Sequence, residues 1–399
     1  MSGITAAVEL AEVGREVVLV EKEAYLGGNV IKMNNYFPKL CPPACGLEIN
    51  FRRIRQNPRI KVYTSTELVS VKGEKGNYSA TLKQQAQYVE DTCTSCGKCT
   101  EVCPEERPNA FNYGLDKTRA IYLPHEMAYP NKYVIDPDFC TFETCKKCVE
   151  VCAYEAINLN AEAHEFHVEA HAIISATGWK NYDAAKLAGM NYADNPDIVT
   201  NVELERLLAP SGIFKGKFGR PSDGKVPKRV AFVQCAGSRD ENYLPYCSAV
   251  CCSASLKHAL TIRERYTESR VSIFYIDLRV TGRNEDFLER VKQDEHIKLI
   301  KGKVAKVEPV AGKDTFWVEA EDILAGKKIK AEADLVVLAT GIVPQKPGIA
   351  IAENSDGFLA VDQPNDIIPV ACSRKPLDVS ASVKDATAAA LKAIQLMIN

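Results

Sequence analysis

Four cysteines within one short run, Cys93-Thr-Ser-Cys96-Gly-Lys-Cys99-Thr-Glu-Val-Cys103, followed by Pro104, constrain this chain more than any other feature. The spacing C-x2-C-x2-C-x3-C-P places three thiolates around one cubane of iron and sulfide and lends the fourth to another. Turn formers and small residues, Thr94, Ser95 and Gly97, suit a backbone that folds its N–H groups toward sulfur, and such hydrogen bonds tune potential. A second run, Cys140-x4-Cys145-x2-Cys148-x3-Cys152, keeps the last two spacings, stretches the first and carries Ala153 where proline is usual. Crossing of the fourth cysteines assigns Cys93, Cys96, Cys99 and Cys152 to one 4Fe-4S cluster and Cys140, Cys145, Cys148 and Cys103 to a second. The alternative of zinc knuckles requires two Cys-x2-Cys pairs separated by a dozen or more residues, which neither run offers.

Composition supports this reading. The chain has 399 residues, 46% of them apolar, enough for two or three domains with a substantial core. Its 15 cysteines are too many for a reduced compartment unless most bind metal, because structural disulfides are rare there. Charge is balanced, 50 Lys and Arg against 52 Asp and Glu, so no global field draws the chain to nucleic acid or an anionic membrane. No apolar run reaches the roughly 18–20 residues that span a bilayer, and no signal-like segment opens the chain. A cytoplasmic location and no direct membrane insertion are expected.

The opening residues 2–14 have helical apolar spacing, and Glu16-Val-Val-Leu-Val-Glu21 reads as a buried strand ending in an acid. Helix, strand and acid in that order form the second half of a dinucleotide fold, with Glu21 on the ribose hydroxyls and Lys22 beside it. Gly3 stands as the third glycine of G-x-G-x-x-G, while the strand and two glycines before it are absent from the sequence, so a truncated start is expected. Gly27-Gly28 and two strands that run into Ala-Thr-Gly, one ending Ala176-Thr177-Gly178 and the other Ala339-Thr340-Gly341, add to the case for FAD. Such strands occur where flavoprotein chains pass between domains. The small-residue helix expected from Asp378 onward can turn its N-terminus toward the same cofactor.

A second dinucleotide-type unit starts with a strand from Arg229 and a second strand, Val271–Ile276, ending at Asp277. Cys235-Ala-Gly237-Ser replaces the glycine turn, and a thiol at the closest-approach position argues against NAD(P)H there. Cys235, Cys247, Cys251 and Cys252 are candidates for a third metal site. Buried thiols or a redox disulfide are the competing readings. Cys41-Pro-Pro-Ala-Cys45 reads as a rigid loop and Cys372 as inert, while His164, His167 and His171 fit exposed strand positions. No nucleophile–histidine–carboxylate set stands out. The expected organisation is a FAD-binding domain in three parts (1–88, 161–226 and 341–399), a two-cluster ferredoxin-like insert (89–160) and a second Rossmann-like domain (227–340).

The flavin halves around a two-cluster insert, the segment Ala120–Asp136, the run Gln-Cys-Ala-Gly-Ser-Arg-Asp from Gln234 and Tyr246-Cys-Ser-x-x-Cys-Cys252 together resemble the family of heterodisulfide reductase A-subunits, over essentially the whole chain. The resemblance implies an α/β fold of two dinucleotide-binding, thioredoxin-reductase-like domains with an inserted ferredoxin-like domain. It also implies FAD, and a third 4Fe-4S cluster on Cys235, Cys247, Cys251 and Cys252. Within the family, the compact length and Leu40–Asn50 resemble most the branch serving quinone-interacting membrane-bound oxidoreductases in sulfate reducers. That branch implies a second flavin and iron-sulfur subunit, a membrane quinone-reactive subunit that attaches the chain to the inner face of the membrane, and a link from menaquinone to adenylylsulfate reductase. The alternatives are the methanogen heterodisulfide reductase with a bifurcating flavin, a stand-alone NAD(P)H-dependent disulfide reductase acting through Cys251 and Cys252, and a scaffold that seats clusters without flavin.

Overall fold

The computed structural model describes every residue except Pro38, Lys39, Glu143 and Asn399. Its first helix, α1 (Ser2–Glu12), is apolar on two faces. Ile4, Val8 and Ala11 recur at helical spacing and pack into one core, while Ala6 and Leu10 enter another. Gly14, at φ +88°, lets the chain reverse into the strand Val17–Val20, which pairs in parallel with Ile60–Tyr63. Between these strands α2 (Pro43–Gln56) starts on a proline, whose missing N–H costs nothing at that position. It buries Leu47, Phe51 and Ile54 against α1 and the strands.

A three-stranded antiparallel sheet follows, made of Thr66–Glu74, Asn77–Gln84 and His164–Ala170. Because Gln84 pairs with His164, everything between them is an insertion between neighbouring strands. The insert opens and closes on itself at the bridge Val89–Ile157. It contains two short helices, α3 (Lys98–Val102) and α4 (Lys147–Glu150), each starting just before the third cysteine of its run and packed against the other.

The second unit is a five-stranded parallel sheet in the order Ile198–Thr200, Leu335–Thr340, Arg229–Ala236, Arg270–Tyr275 and Ile297–Lys301. Every residue of Leu335–Thr340 is buried, as a central parallel strand covered on both faces requires. Helices α5 (Asn201–Leu208), α6 (Cys251–Arg265) and α7 (Glu285–Gln293) pack on one face through Leu204, Leu256, Phe287 and Phe232. The antiparallel strands Val304–Pro309, Phe316–Asp322 and Lys327–Ala333 cover the other through Val307, Val318 and Val336. Full burial of each such side chain is worth roughly 1.5–3 kcal/mol.

The chain crosses between the two units twice, at Trp179–Asn181 and Ile342–Pro344, and these two strands pair antiparallel. Both crossings directly follow an Ala-Thr-Gly. The first places a boundary earlier than the sequence reading: Ile198–Thr200 and α5, within the stretch 161–226 expected to belong to the FAD domain, are built into the second unit's sheet and core. Nothing local marks that change of allegiance, because α5 is amphipathic on either assignment. The closing helix α8 (Val379–Ile398) returns to α1 and buries Ala386, Ala389, Ala390 and Ala393 against it.

Candidate functional site

Between α1, the crossing strands and α5–α6 lies a cavity of about 1580 Å³. Ordinary small-molecule sites occupy roughly 300–1,000 Å³, so an extended dinucleotide fits. Gly3, Glu21, Lys22, Gly27, Gly28, Ala176, Thr177 and Gly178, separated by up to 175 positions, all line it. A Cβ at Gly3 would stand 3.4 Å from Cβ of Ala176, so the start of α1 approaches the Ala176-Thr177-Gly178 segment at close range. Gly27, at φ +120°, has backbone geometry that a side chain would strain. Thr340 and Gly341 do not line the cavity. Thr340 is fully buried, with its hydroxyl donating to Asn201 Oδ1 at 3.3 Å, and a Cβ on Gly341 would collide with Ser238 Oγ and Ser248 Oγ. Cys41 and Cys45 stand outside the lining, whereas Cys372, read as inert, is part of it.

Glu21 ends its strand with Oε1 accepting from the Glu23 N–H at 3.0 Å. Burial raises its pKa against that hydrogen bond and the charge of the Met1 ammonium, and the carboxyl faces the cavity, where hydroxyl groups can reach it. Lys22 turns its ammonium to Glu67 at 2.8 Å. The start of α8 reaches the cavity through Asp378, Val379 and Ser382.

Sequence reading missed the charged wall of this cavity. Glu205 on α5 bonds Lys257 and His258 on α6, the latter at 2.7 Å from Oε1, and its other oxygen accepts from the Asn34 N–H at 3.0 Å. Lys257 also donates to the Asn35 carbonyl at 2.7 Å. All three side chains are buried, and all line the cavity. Burial alone would raise the Glu205 pKa, but the Lys257 and His258 charges outweigh it and hold the carboxyl well below the usual range. Burial lowers the His258 pKa despite Glu205, and His258 Nδ1 has no protein partner. One residue on, Arg206 ties three parts together: Nε to Asn112 Oδ1 of the insert at 2.8 Å, Nη1 to the Lys32 carbonyl at 2.9 Å, and Nη2 to the Ser211 carbonyl at 3.0 Å. Its guanidinium lies over Phe111, which stacks on His125, whose ring meets Tyr25 edge-on in the cavity wall.

The insert's cysteines fall into two groups. Cys93, Cys96, Cys99 and Cys152 line one small pocket with Gly97, Tyr133 and Tyr154. Cys140, Cys145, Cys148 and Cys103 influence one another electrostatically. Both groups mix the two runs in the crossed manner. Burial, with neighbouring thiols adding to it, pushes Cys99 and Cys148 each up to about 11; a buried thiolate there needs positive charge beside it, which a bound metal would supply. The Ala156 N–H donates to Cys152 Sγ at 3.4 Å, the type of contact a cluster ligand receives. Among the described residues no three His, Cys, Asp or Glu are gathered tightly enough for a single metal ion; the groups are defined by shared surroundings and not by closed coordination.

A third group forms where the glycine turn of the second unit would be. Cys235, at φ +55°, stands one residue before the end of its strand in the left-handed region, and Cys251 and Cys252 open α6. Burial raises the pKa of Cys251, with Cys252, Cys235 and Cys247 adding to it, and lifts Cys252 to about 11, so all four thiols share one environment. Cys251 Sγ donates to the Thr340 carbonyl at 3.5 Å, which places the second Ala-Thr-Gly beside this group. Gln234, next to Cys235, is buried with neither amide atom bonded. The donor set and its unpartnered polar atoms fit a cluster better than an inert core.

The chain is 38% identical to the iron-sulfur A-subunit 2 of the CoB–CoM heterodisulfide reductase of Methanopyrus kandleri over 98% of its length. It is 35% identical to the A-subunit of the H2:CoB-CoM heterodisulfide,ferredoxin reductase of Methanothermobacter marburgensis and 36% identical to that of the ferredoxin/F420H2-dependent CoB-CoM heterodisulfide reductase of Methanosarcina acetivorans, both over its full length. It spans 62%, 63% and 52% of these relatives. No family model matches. Among solved structures, thioredoxin reductase of Lactococcus lactis superposes with a TM-score of 0.53 at 12% identity, covering 100% of this chain and 96% of that one. That of T. acidophilum gives 0.53 at 13% identity, covering 99% and 94%. Both identities are low enough that the likeness speaks for the fold alone.

Proposed function

The chain belongs to the family of heterodisulfide reductase A-subunits, and from that premise we propose that it is an oxidoreductase subunit that carries electrons between FAD and partner subunits through iron-sulfur clusters. The observation that carries this reading is the sorting of the eight insert cysteines into two crossed sets in a chain that also holds a dinucleotide-sized cavity, whose lining includes Tyr113 of the insert. When bound, FAD exchanges electrons in pairs or singly and each cubane exchanges one.

The chain's own residues divide the work. Glu21 receives the ribose hydroxyls, and the N–H groups at the start of α1 face the pyrophosphate. Gly27, Gly28 and the Ala176–Gly178 turn leave room for close backbone approach. Lys257 and His258 place proton-bearing nitrogens in the cavity wall, with Glu205 holding both, so a proton can be kept there as electrons arrive or leave. Cys93, Cys96, Cys99, Cys152 and Cys140, Cys145, Cys148, Cys103 hold two 4Fe-4S clusters, and Cys235, Cys247, Cys251 and Cys252 a third. Arg206 and the Phe111–His125–Tyr25 contacts fix the insert against the cavity.

The heterodisulfide reductase assembly, which the names of the relatives give, is the better supported setting. The menaquinone to adenylylsulfate reductase setting, with its membrane quinone-reactive subunit, rests on compact length and Leu40–Asn50, and length carries no weight in a chain that spans only part of its relatives. No helix among the described residues is long and apolar enough to cross a membrane.

Iron, sulfide and flavin analysis of the purified full chain tests the proposal. About twelve iron atoms with one FAD is expected. About eight removes the third cluster, and iron near zero rejects the reading. Bleaching of the flavin by NADPH alone would instead favour a stand-alone disulfide reductase.

A further inference from the structure

Asp277 stands two residues beyond the second strand of the second unit, the place where a pyridine-nucleotide domain keeps its ribose-binding carboxylate. Here Arg239 Nη2 donates to Asp277 Oδ2 at 2.9 Å. Arg239 leaves the turn after Cys235 with φ +56°, its N–H bonded to the Tyr246 carbonyl at 3.1 Å, so its course is set by backbone on one side and by Asp277 on the other. Its remaining terminal nitrogen, Nη1, is buried without an oxygen or nitrogen acceptor, and the guanidinium lies against the Cys235 thiol and interacts with it. Asp277 contributes on the same side, its carbonyl accepting from Cys252 Sγ at 3.7 Å. A buried, unbonded guanidinium nitrogen is costly unless something accepts from it.

We infer that Arg239, clamped by Asp277, is a positioning residue that donates from Nη1 to the sulfur of the third cluster and raises that cluster's potential. The inference rests on the third cluster proposed above. A cluster gains negative charge on reduction, so a fixed cation and an N–H donor at its sulfur stabilise the reduced form. The clamp also consumes the carboxylate and so removes the ribose anchor from this unit. A fold built for hydride donors thereby becomes a seat for a one-electron carrier.

The test is a redox titration of the full chain, with FAD and clusters in place, followed by the spectroscopic signal of each cluster. Arg239→Gln is expected to leave about twelve iron atoms and lower the ratio of reduced to oxidised third cluster about tenfold at fixed ambient potential, about 59 mV for one electron. The two insert clusters should not move. Arg239→Lys keeps the charge but not the planar fork, and should recover part of the shift. A third cluster whose potential is the same in both variants overturns the inference, as does loss of that cluster from both with FAD retained, which would make Arg239 a folding contact only. Eight iron atoms in the unsubstituted chain would instead fail the cluster reading itself.

Discussion

The two dinucleotide-type units end their second strands in acids with opposite fates. In the first, Glu21 faces a large cavity, accepts from neighbouring backbone N–H groups, and has its pKa raised by burial. In the second, Asp277 is half exposed and paired with Arg239, with Cys235 where the glycine turn belongs. The same strand–helix frame therefore supplies a carboxylate free to meet hydroxyls in one unit and a neutralised one beside thiols in the other. What the frame conserves is the convergence of a strand end and a helix start; which cofactor that convergence serves is decided by a few side chains.

The joint between the units is the place to break this comparison most severely. Glu205, Lys257 and His258 belong to the second unit, yet Glu205 bonds Asn34 and Lys257 bonds Asn35 of the first. Glu205→Gln leaves the Lys257 charge buried without its counter-ion, so a loss of about 3–5 kcal/mol is expected in denaturant unfolding. Replacing Glu205 and Lys257 together by apolar residues should cost less than the single change. Equal costs would mean that water, not Glu205, compensates Lys257.

Matched changes of the two acids sharpen the contrast at smaller scale. Glu21→Ala should weaken FAD binding by about 1.5–3 kcal/mol, roughly 10- to 150-fold, read by flavin retention on dialysis or by calorimetry. Asp277→Ala should leave flavin retention unchanged. If both weaken it alike, the cavity has been assigned to the wrong unit.

How far these features could be read in advance follows from how local their causes are. The grouping of Cys93 to Cys152 into two mixed sets follows from spacing within a few residues, so that proximity was legible. That Glu21 and Gly3 meet at one cavity wall was legible because a strand, a helix and their order are local patterns. The Glu205–Lys257–His258 wall was not, since its members lie 52 and 53 positions apart and meet only because α5 and α6 pack on one sheet. The allegiance of α5 was misread for the same reason: strand Ile198–Thr200 is three residues long, and its partner, Leu335–Thr340, is more than 130 positions away. Arg239 stood in a motif that drew notice, but its meaning needed the location of Asp277. Thr340 and Gly341 were read with the flavin by analogy to Thr177 and Gly178, yet the second Ala-Thr-Gly abuts the thiols of α6.

The first unit differs from the second in one more respect, because the insert builds part of its wall. His125 is sandwiched against Phe111 and Tyr25, and its Nε2 is buried without a partner. Burial, with the nearby Arg206 and Lys32 charges, lowers its pKa from 6.5 to about 4. A histidine depressed in the folded state binds its proton more readily when unfolded, so its contribution is intact above about pH 6.5 and is lost as pH falls toward 4. The full shift corresponds to about 3 kcal/mol; partial exposure of the ring reduces the expectation to about 2 kcal/mol. His125→Phe keeps the stacking and cannot titrate, so stability measured between pH 7 and 4 should fall less steeply in that variant by this amount. Flavin release should follow the same curve, since the ring supports Tyr25, while the thiol group Cys235, Cys247, Cys251 and Cys252 and any cluster it holds should be indifferent to the substitution. A pH dependence unchanged by His125→Phe would place the titrating group elsewhere and leave the insert contact purely structural.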